Sequence, residues 1–424
     1  MSIMYPFQLL AMMQNERKPL DSLKKMQNLR LSNLIRHAYE NVPYYRNLFE
    51  REHITPDDIK SIDDLIKIPV STKADFTQVE PDDLIAKNYI NAPLVKKRTS
   101  GSTGMPFVFA FSREDNIIKD LMLARIFLTN GFNIFKKRVH IMDPQSMTSE
   151  SHWFQKYGIW RVGKISCFDE VDLQLAALKK AKPNLIYGWT SSILMNAREL
   201  LINPDKDIKV DFIVTTAEML TQESRKIIEK AFNGRVFDQY GSSEIGPVSY
   251  ECKKHDGYHI SMDTVVMEFI KDGKKVNPGV SGDIVFTALF SFAMPFIRYS
   301  VGDAGSYTEN PCECGRTFPR MSVVEGRSVD FITLIDGRKI SPYTLTCAIE
   351  NIGGIGEYKI IQETLDKISI IVKSNNKFDE QAILKVKKAI QAIVSDKVDV
   401  EIKLVDEIER GRRKFRIVTS LVND

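Results

Sequence analysis

Long apolar runs are missing: no stretch of the 424 residues approaches the roughly eighteen consecutive apolar residues of a membrane-spanning helix, so membrane insertion is not expected. Cysteine is scarce. The five, Cys167, Cys252, Cys312, Cys314 and Cys347, are odd in number and dispersed, which argues against a disulfide framework and for a reducing compartment. An excess of one charge is missing too, because 59 Lys and Arg against 55 Asp and Glu leave a net charge of only +4, and nothing forces a nucleic-acid partner. The short apolar run at residues 7–13 has no basic head before it and no cleavage-site pattern after it. The expectation is a cytoplasmic protein. What remains is ordinary globular composition, 43% hydrophobic and 27% charged, long enough for two or three units at roughly 100–200 residues each.

The densest chemical signal is the loop TSGSTGMP at residues 99–106. Gly101 and Gly104 permit backbone conformations closed to other residues. The hydroxyls of Thr99, Ser100, Ser102 and Thr103, with bare N–H groups, can then converge on anionic oxygens. The loop is not the P-loop of kinases and GTPases, which needs Lys and Ser/Thr after its last glycine, where this chain has Met105 and Pro106.

Residues 20–51 carry apolar side chains at helical spacing until Pro43 interrupts them, and the first ninety residues read as a helical cap. From about 95 to 288 short apolar strands (138–142, 184–187, 212–216, 235–237) alternate with helical stretches (171–180, 191–201, 222–232), the rhythm of βαβ units. The expected fold is therefore α/β, a large N-terminal domain of mainly parallel or mixed sheets flanked by helices. Ligands then belong at the carboxyl ends of the strands. Two such ends are chemically loaded: Ala217 and Glu218 follow one strand, and Tyr240, Gly241, Ser242, Ser243 and Glu244 follow another. An aromatic ring, two hydroxyls and a carboxylate can stack a base, touch a phosphate and hold Mg²⁺, which prefers one or two carboxylates plus phosphate oxygens.

Cys312 and Cys314 form a C-x-C turn, and Cys252 lies in a segment with His255 and His259. Three thiolates and one imidazole complete a closed tetrahedral structural zinc site, with either histidine as the fourth ligand; unrelated thiols are the alternative.

TSGSTGMP, YGSSEIG at 240–246, MPFIRYSVGDAG at 294–305 and EGRSVDFI at 325–332 occur in the order of the adenylate-forming acyl-CoA synthetase superfamily. Within it the chain resembles the phenylacetate-CoA ligase-like branch and its capsule-biosynthesis relatives, on the further evidence of HAYENVPYYR at 37–46, IPVSTK at 68–73 and CECGR at 312–316. The resemblance implies that residues 100–104 hold the ATP phosphates, Tyr240 the adenine face, Ser243 the α-phosphate and Glu244 Mg²⁺. Asp303 would accept the ribose hydroxyls, with Arg327 near the ribose and the domain junction. It favours His259 as the imidazole zinc ligand.

Residues 330–424 read as a small α+β module, and Ser341 before Pro342 fits the start of a helix. The resemblance makes residues 329–424 a mobile lid beside a 1–328 domain that binds ATP and the acyl substrate. In it Lys414 bridges carboxylate and phosphate oxygens. The chain departs from the family pattern at Arg413, where a glycine is usual, and at Val329, where the hinge Asp is usual and Asp330 stands next. The implied reaction joins a small carboxylic acid to AMP and then to coenzyme A; the aromatic content of the expected pocket admits an aryl or arylacetic acid and does not exclude a fatty or an amino acid. The acid pocket is expected from residues 132–135, Tyr187, Gly188 and Trp189, and 217–220. An acceptor other than coenzyme A (an amine, a hydroxyl or a carrier protein) and a non-catalytic nucleotide-binding relative are the alternatives. The partners are then the acid, ATP and coenzyme A, and a homodimer is compatible with the sequence.

Overall fold

The computed structural model describes residues 4–98, 107–144, 153–327, 330–350, 352, 355–374, 379–408 and 416–422. The chain opens with helices α1 (Met4–Asn15), α2 (Leu20–Asn41) and α3 (Pro43–Arg51). Leu23, Leu31, Leu34, Ile35 and Ala38 line one stripe of α2 and are fully buried. Pro43 cannot donate the next helical hydrogen bond, so α2 ends at Asn41; the same proline opens α3, where a missing N–H costs nothing. The helical expectation for the first ninety residues holds to Arg51. Beyond it come short turns, strand β1 (Ser71–Thr72) and helix α4 (Lys73–Thr77). Three capping boxes, Thr55 with Asp58, Ser61 with Asp64 and Thr72 with Asp75, start turns that soon end.

Strands β2 (Val95–Arg98) and β3 (Val108–Phe111) pair antiparallel, with Arg98 opposite Val108. Helix α5 (Arg113–Thr129) follows, opened by a capping box of Ser112 and Asp115. The expected βαβ rhythm then appears as β4 (Arg138–Met142), β5 (Val162–Ser166), α6 (Val171–Ala181), β6 (Leu185–Trp189), α7 (Thr190–Ile202), β7 (Phe212–Thr216), α8 (Gln222–Phe232) and β8 (Arg235–Ser242). These strands run parallel in the order β5-β4-β6-β7-β8. Strand alternation sorts their side chains: Val139, Ile141, Ile186, Ile213 and Val236 join one core cluster with residues of α6, α7 and α8, while Leu185, Tyr187, Phe212, Val214 and Phe237 pack with Ile126 and Phe127 of α5.

Past β8 the sheet turns antiparallel through β9 (Gly246–Glu251), β10 (Tyr258–Ile260), β11 (Val265–Lys271), β12 (Lys274–Lys275), β13 (Gly282–Ala288), β14 (Tyr299–Thr308) and β15 (Arg320–Arg327). Among the described residues it has thirteen strands, running β12-β11-β13-β14-β15-β10-β9-β8 into the parallel set, with β1 beside β14. The sheet is thus mixed. The rest of the chain forms the expected α+β unit: β16 (Ile332–Thr333), β17 (Lys339–Ile340), α9 (Pro342–Glu350), β18 (Ile355–Thr364), β19 (Lys367–Ser374), α10 (Glu380–Val394), β20 (Asp399–Val405) and β21 (Val418–Ser420). Its four-stranded sheet, β20-β19-β18-β21, has a hydrophobic cluster of its own around Ile360, Ile370, Val386 and Ile390. The Ser341 hydroxyl accepts from the Thr344 N–H at 3.3 Å, the expected cap. Among the described residues no helix is long and apolar enough to cross a membrane.

One buried ion pair ties the N-terminal helices to the sheet. Arg125 of α5 donates to both carboxylate oxygens of Asp263 at 2.8 and 2.9 Å, and both side chains are fully buried. Asn15 of α1 adds a third donor to the carboxylate at 3.1 Å. Removing one partner of such a pair leaves a buried charge uncompensated, so Asp263→Ala should lower the free energy of unfolding by about 3–5 kcal/mol. Urea denaturation checks this, and a loss below about 1 kcal/mol would contradict it.

Candidate functional site

The carboxyl end of β8 is where the chemistry gathers. The Tyr240 hydroxyl donates to Asp303 Oδ2 at 2.8 Å, joining two residues 63 positions apart. Gly302, just before Asp303, has φ +83°, a conformation that suits glycine. Asp303 pairs across the β14–β15 ladder with Arg327, so the backbones of these two residues are adjacent. Gly241 is required sterically, since a Cβ there would lie 2.0 Å from the Gly246 carbonyl oxygen.

The turn after β8 is held from two sides. The Ser242 hydroxyl accepts from the Ile245 N–H at 3.2 Å, and Lys119 Nζ donates to the Ser243 carbonyl at 2.7 Å. Ser243 is exposed. Glu244 is buried, and no hydrogen bond to its carboxylate is found among the described residues. Lys119 is buried 3.8 Å above the Phe111 ring centroid, and burial pulls its pKa well below the ordinary lysine value, the Glu244 charge opposing that shift. Sequence reasoning missed Lys119. A lysine in a helical stretch reads as a solvated charge, and only the packing of α5 against the β8–β9 turn reveals it.

At the end of β7, Ala217 has φ +72°, a strained value for a residue with a Cβ. Glu218 turns back, and its Oε2 accepts from the Ser191 N–H at 2.7 Å, placing an anion at the start of α7. Tyr187 is buried, Gly188 sits where a Cβ would lie 2.1 Å from the Ile141 carbonyl oxygen, and Trp189 meets Phe168 edge-on at 5.8 Å. Phe132 and Phe135 depart from the expected pocket. Both precede β4, at the amino ends of the strands; Phe132 packs against Phe127 and Trp160, and Phe135 is exposed. Thr99, Ser100, Gly101, Ser102, Thr103, Gly104 and Lys414 lie outside the described residues, as does Val329. Asp330 accepts from Arg416 Nη1 at 3.2 Å.

A second centre lies in the antiparallel half. The ligand atoms of Cys252, His259, Cys312 and Cys314 all fall within 4.8 Å of one another. Cys252 Sγ is 3.7 Å from Cys312 Sγ, and Cys314 Sγ is 3.3 Å from His259 Nε2. His259 Nδ1 donates to the Phe318 carbonyl at 3.1 Å, which leaves Nε2 to face the thiols, and burial pushes its pKa down to about 4, so the ring is neutral. His255 lies elsewhere, 3.2 Å from both Glu251 Oε2 and Arg225 Nη1. The backbone N–H groups of Lys254 and Arg316 point at Cys252 and Cys314 sulfurs at 3.4 and 3.5 Å. The cluster joins the β9–β10 turn to the β14–β15 connection.

Between the two centres runs a buried polar network. Asp238 of β8 accepts from Thr215 at 2.6 Å and from the Tyr258 hydroxyl at 2.8 Å. Its own N–H donates to Glu251 at 2.8 Å, and Arg225 forks onto both oxygens of Glu251 at 2.7 and 2.8 Å. Burial, aided by the Glu251 charge, lifts the Asp238 pKa to about 7.

Residues 332–420 match the family model of the CapK C-terminal domain. The chain is 26% identical over 386 residues to a phenylacetate-coenzyme A ligase of Thermus thermophilus, covering 86% of this chain and 84% of that protein. It is 30% identical over 341 residues to a phenylacetate-coenzyme A ligase of Escherichia coli, covering 78% of this chain and 76% of that one. In three dimensions it is similar to a crystal structure of 2-hydroxyisobutyryl-CoA ligase in the postadenylation state in complex with 2-HIB-AMP, with a TM-score of 0.82 and 20% identity over 96% of this chain and 91% of that one. At that identity the likeness shows a shared fold.

The buried Asp238 has a measurable consequence. The folded chain holds this proton up to about pH 7 while an unfolded aspartate releases it near pH 4, so folding binds a proton across that window and stability falls as pH rises through it. Asp238→Asn should remove up to about 1.4 kcal/mol per pH unit of that slope. Denaturant titrations at pH 4.5, 5.5 and 6.5 check this, and an unchanged slope would contradict it.

Proposed function

Because the chain belongs to the phenylacetate-CoA ligase family, we propose that it activates a carboxylic acid, aryl or arylacetic, with ATP and passes the acyl group to coenzyme A. The observation that carries the site reading is the Tyr240–Asp303 hydrogen bond, which sets an aromatic face and a carboxylate side by side at the strand ends. Tyr240 stacks the adenine, and Asp303 accepts from the ribose hydroxyls. Glu244 is a buried carboxylate without a hydrogen-bonding partner among the described residues, so it fits a divalent cation. Glu244 would hold Mg²⁺, and the ion would supply positive charge to the phosphate oxygens.

The acid's carboxylate attacks the α-phosphorus of ATP, the bond to the bridging oxygen breaks, and pyrophosphate leaves. Two anions must meet, so catalysis rests on positioning and on charge neutralisation. The 99–104 loop cradles the phosphates, Ser243 contacts the α-phosphate, and Lys414 bridges the two reacting groups as a compact charge on a flexible stem. Ala217 and Glu218 line the nucleotide side of the cleft, Arg327 lies near the ribose, and Tyr187, Gly188 and Trp189 line the acid side. The coenzyme A thiolate then attacks the acyl carbon and AMP departs. Residues 329–424 form the lid over a 1–328 domain, a division supported by their separate hydrophobic cluster. A second reading has an amine, a hydroxyl or a carrier protein as the acceptor.

The four-residue sulfur and imidazole cluster fits a structural zinc ion: it offers three thiols and a neutral imidazole, with ligand atoms close enough to share one centre. One equivalent of zinc is expected in freshly purified protein. Stripping it with a strong chelator should lower Tm by several degrees, since a metal bound only by the folded chain stabilises it. Metal-free protein with an unchanged Tm would contradict the assignment.

A panel of aryl and arylacetic acids scored for pyrophosphate release, each with and without coenzyme A, tests the reaction. Acid-dependent release together with a thioester product is expected. Thioester formation at no faster a rate than acyl transfer to an amine would favour the second acceptor, and nucleotide binding without release for any acid would refute the ligase reading. Lys414→Ala should cut adenylation by roughly 10²–10³-fold while ATP affinity changes little. An unchanged rate would refute that role.

A further inference from the structure

Lys119 of α5 stands between the two segments that the reading above assigns to the phosphates of ATP. One is the β8–β9 turn, whose Ser243 carbonyl accepts from Lys119 Nζ at 2.7 Å. The other is the β2–β3 hairpin, whose strands are joined by residues 99–107. Lys119 Nζ lies 3.8 Å above the ring centroid of Phe111 on β3, and the charge of Lys97 on β2, two residues before Thr99, acts on the same ammonium. The Glu244 charge acts on it too, and on the buried Tyr299 of β14. Lys119 is 9% exposed, and Phe111 is fully buried. Its stem has room because Gly246, at the start of β9 with φ +90°, carries no side chain; a Cβ there would lie 3.2 Å from Lys119 Cε and 3.3 Å from its Cγ.

Burying an ammonium is costly, and a methionine of similar length would fill the same space without that cost. Packing alone therefore does not call for a lysine. What the charge adds is a link at both ends, a charge-assisted hydrogen bond to a carbonyl and an attraction to a ring face. The Ser243 carbonyl belongs to the peptide unit that joins Ser243 to Glu244, so a bond to it fixes the direction in which both side chains leave the turn. We propose, on the ligase reading given above, that Lys119 is a positioning residue for the triphosphate, tying the β2–β3 hairpin to the β8–β9 turn and setting the spacing of the two segments that grip the phosphates of ATP. Its effect then falls on adenylation, in which all three phosphates must be held. Binding of AMP, gripped through its adenosine by Tyr240 and Asp303, and transfer of the acyl group to coenzyme A are spared.

Lys119→Met in the full chain tests this by two comparisons. Calorimetric titration without any acid should show MgATP binding weakened about tenfold and AMP binding changed by less than about twofold. With an acid that the unmodified enzyme activates, kcat/KM for ATP in pyrophosphate release should fall by about 100-fold, while thioester formation from the synthetic acyl-adenylate and coenzyme A should change by less than about threefold. Lys119→Gln, also uncharged, should give the same split, which keeps the test open if the first variant fails to fold. A lysine that serves only the packing of α5 predicts a different pattern, with both nucleotides and both half-reactions losing in parallel. That pattern, or MgATP affinity unchanged in both variants, would overturn the inference and leave the ligase reading intact. A lack of pyrophosphate release by the unmodified enzyme with every acid would instead overturn the ligase reading, and the comparison of MgATP with AMP, which needs no acid, would still decide the role of Lys119.

Discussion

The hydrogen bond from Tyr240 to Asp303 imposes the constraint on which the site depends. Their strands stand in the order β8-β9-β10-β15-β14, four steps apart. At roughly 4.8 Å per step a flat sheet would hold them about 19 Å apart. A 2.8 Å contact therefore requires the antiparallel half to curl over the end of β8. That curl brings an aromatic ring and a carboxylate together at the strand ends, the position where open α/β sheets bind ligands.

Other features hold the curl in place. The Cys252, His259, Cys312 and Cys314 cluster joins the β9–β10 turn to the loop that connects β14 and β15, the same strands the curl must bend. The Asp238, Glu251, Arg225 and Tyr258 network lies inside that bend and reaches Asp238, two residues before Tyr240. Lys119 holds the turn carrying Ser243 and Glu244 from the α5 side, and α5 is itself anchored by Asp115, which accepts from the backbone N–H groups of Phe292 and Ala293 at 3.2 and 3.1 Å. The Tyr240–Asp303 junction is thus supported from the sheet, from a helix and from the loop that carries Cys312 and Cys314.

Much of the fold was legible in the sequence, because strand and helix alternation obeys local periodicity: the strands at 138–142 and 212–216 and the helices at 171–181 and 222–232 stand where that periodicity places them. The grouping of Cys252 with the C-x-C turn was legible as well, and geometry decided between two histidines that spacing alone left open. The stretch after Arg51 is less helical than expected, since its capping boxes start only short turns. Phe132 and Phe135 were misplaced because an aromatic pair near a strand does not reveal at which end of the sheet it falls. Lys119 and the buried role of Asp238 gave no signal. Each matters through partners brought close only by the tertiary fold, and a single sequence does not list such partners.

A crystal structure of the protein with AMP tests the central claim most directly. The account predicts the adenine against Tyr240 and the ribose hydroxyls on the Asp303 carboxylate at hydrogen-bonding distance. A nucleotide bound away from both residues, with the Tyr240–Asp303 contact undisturbed and facing solvent, would contradict it.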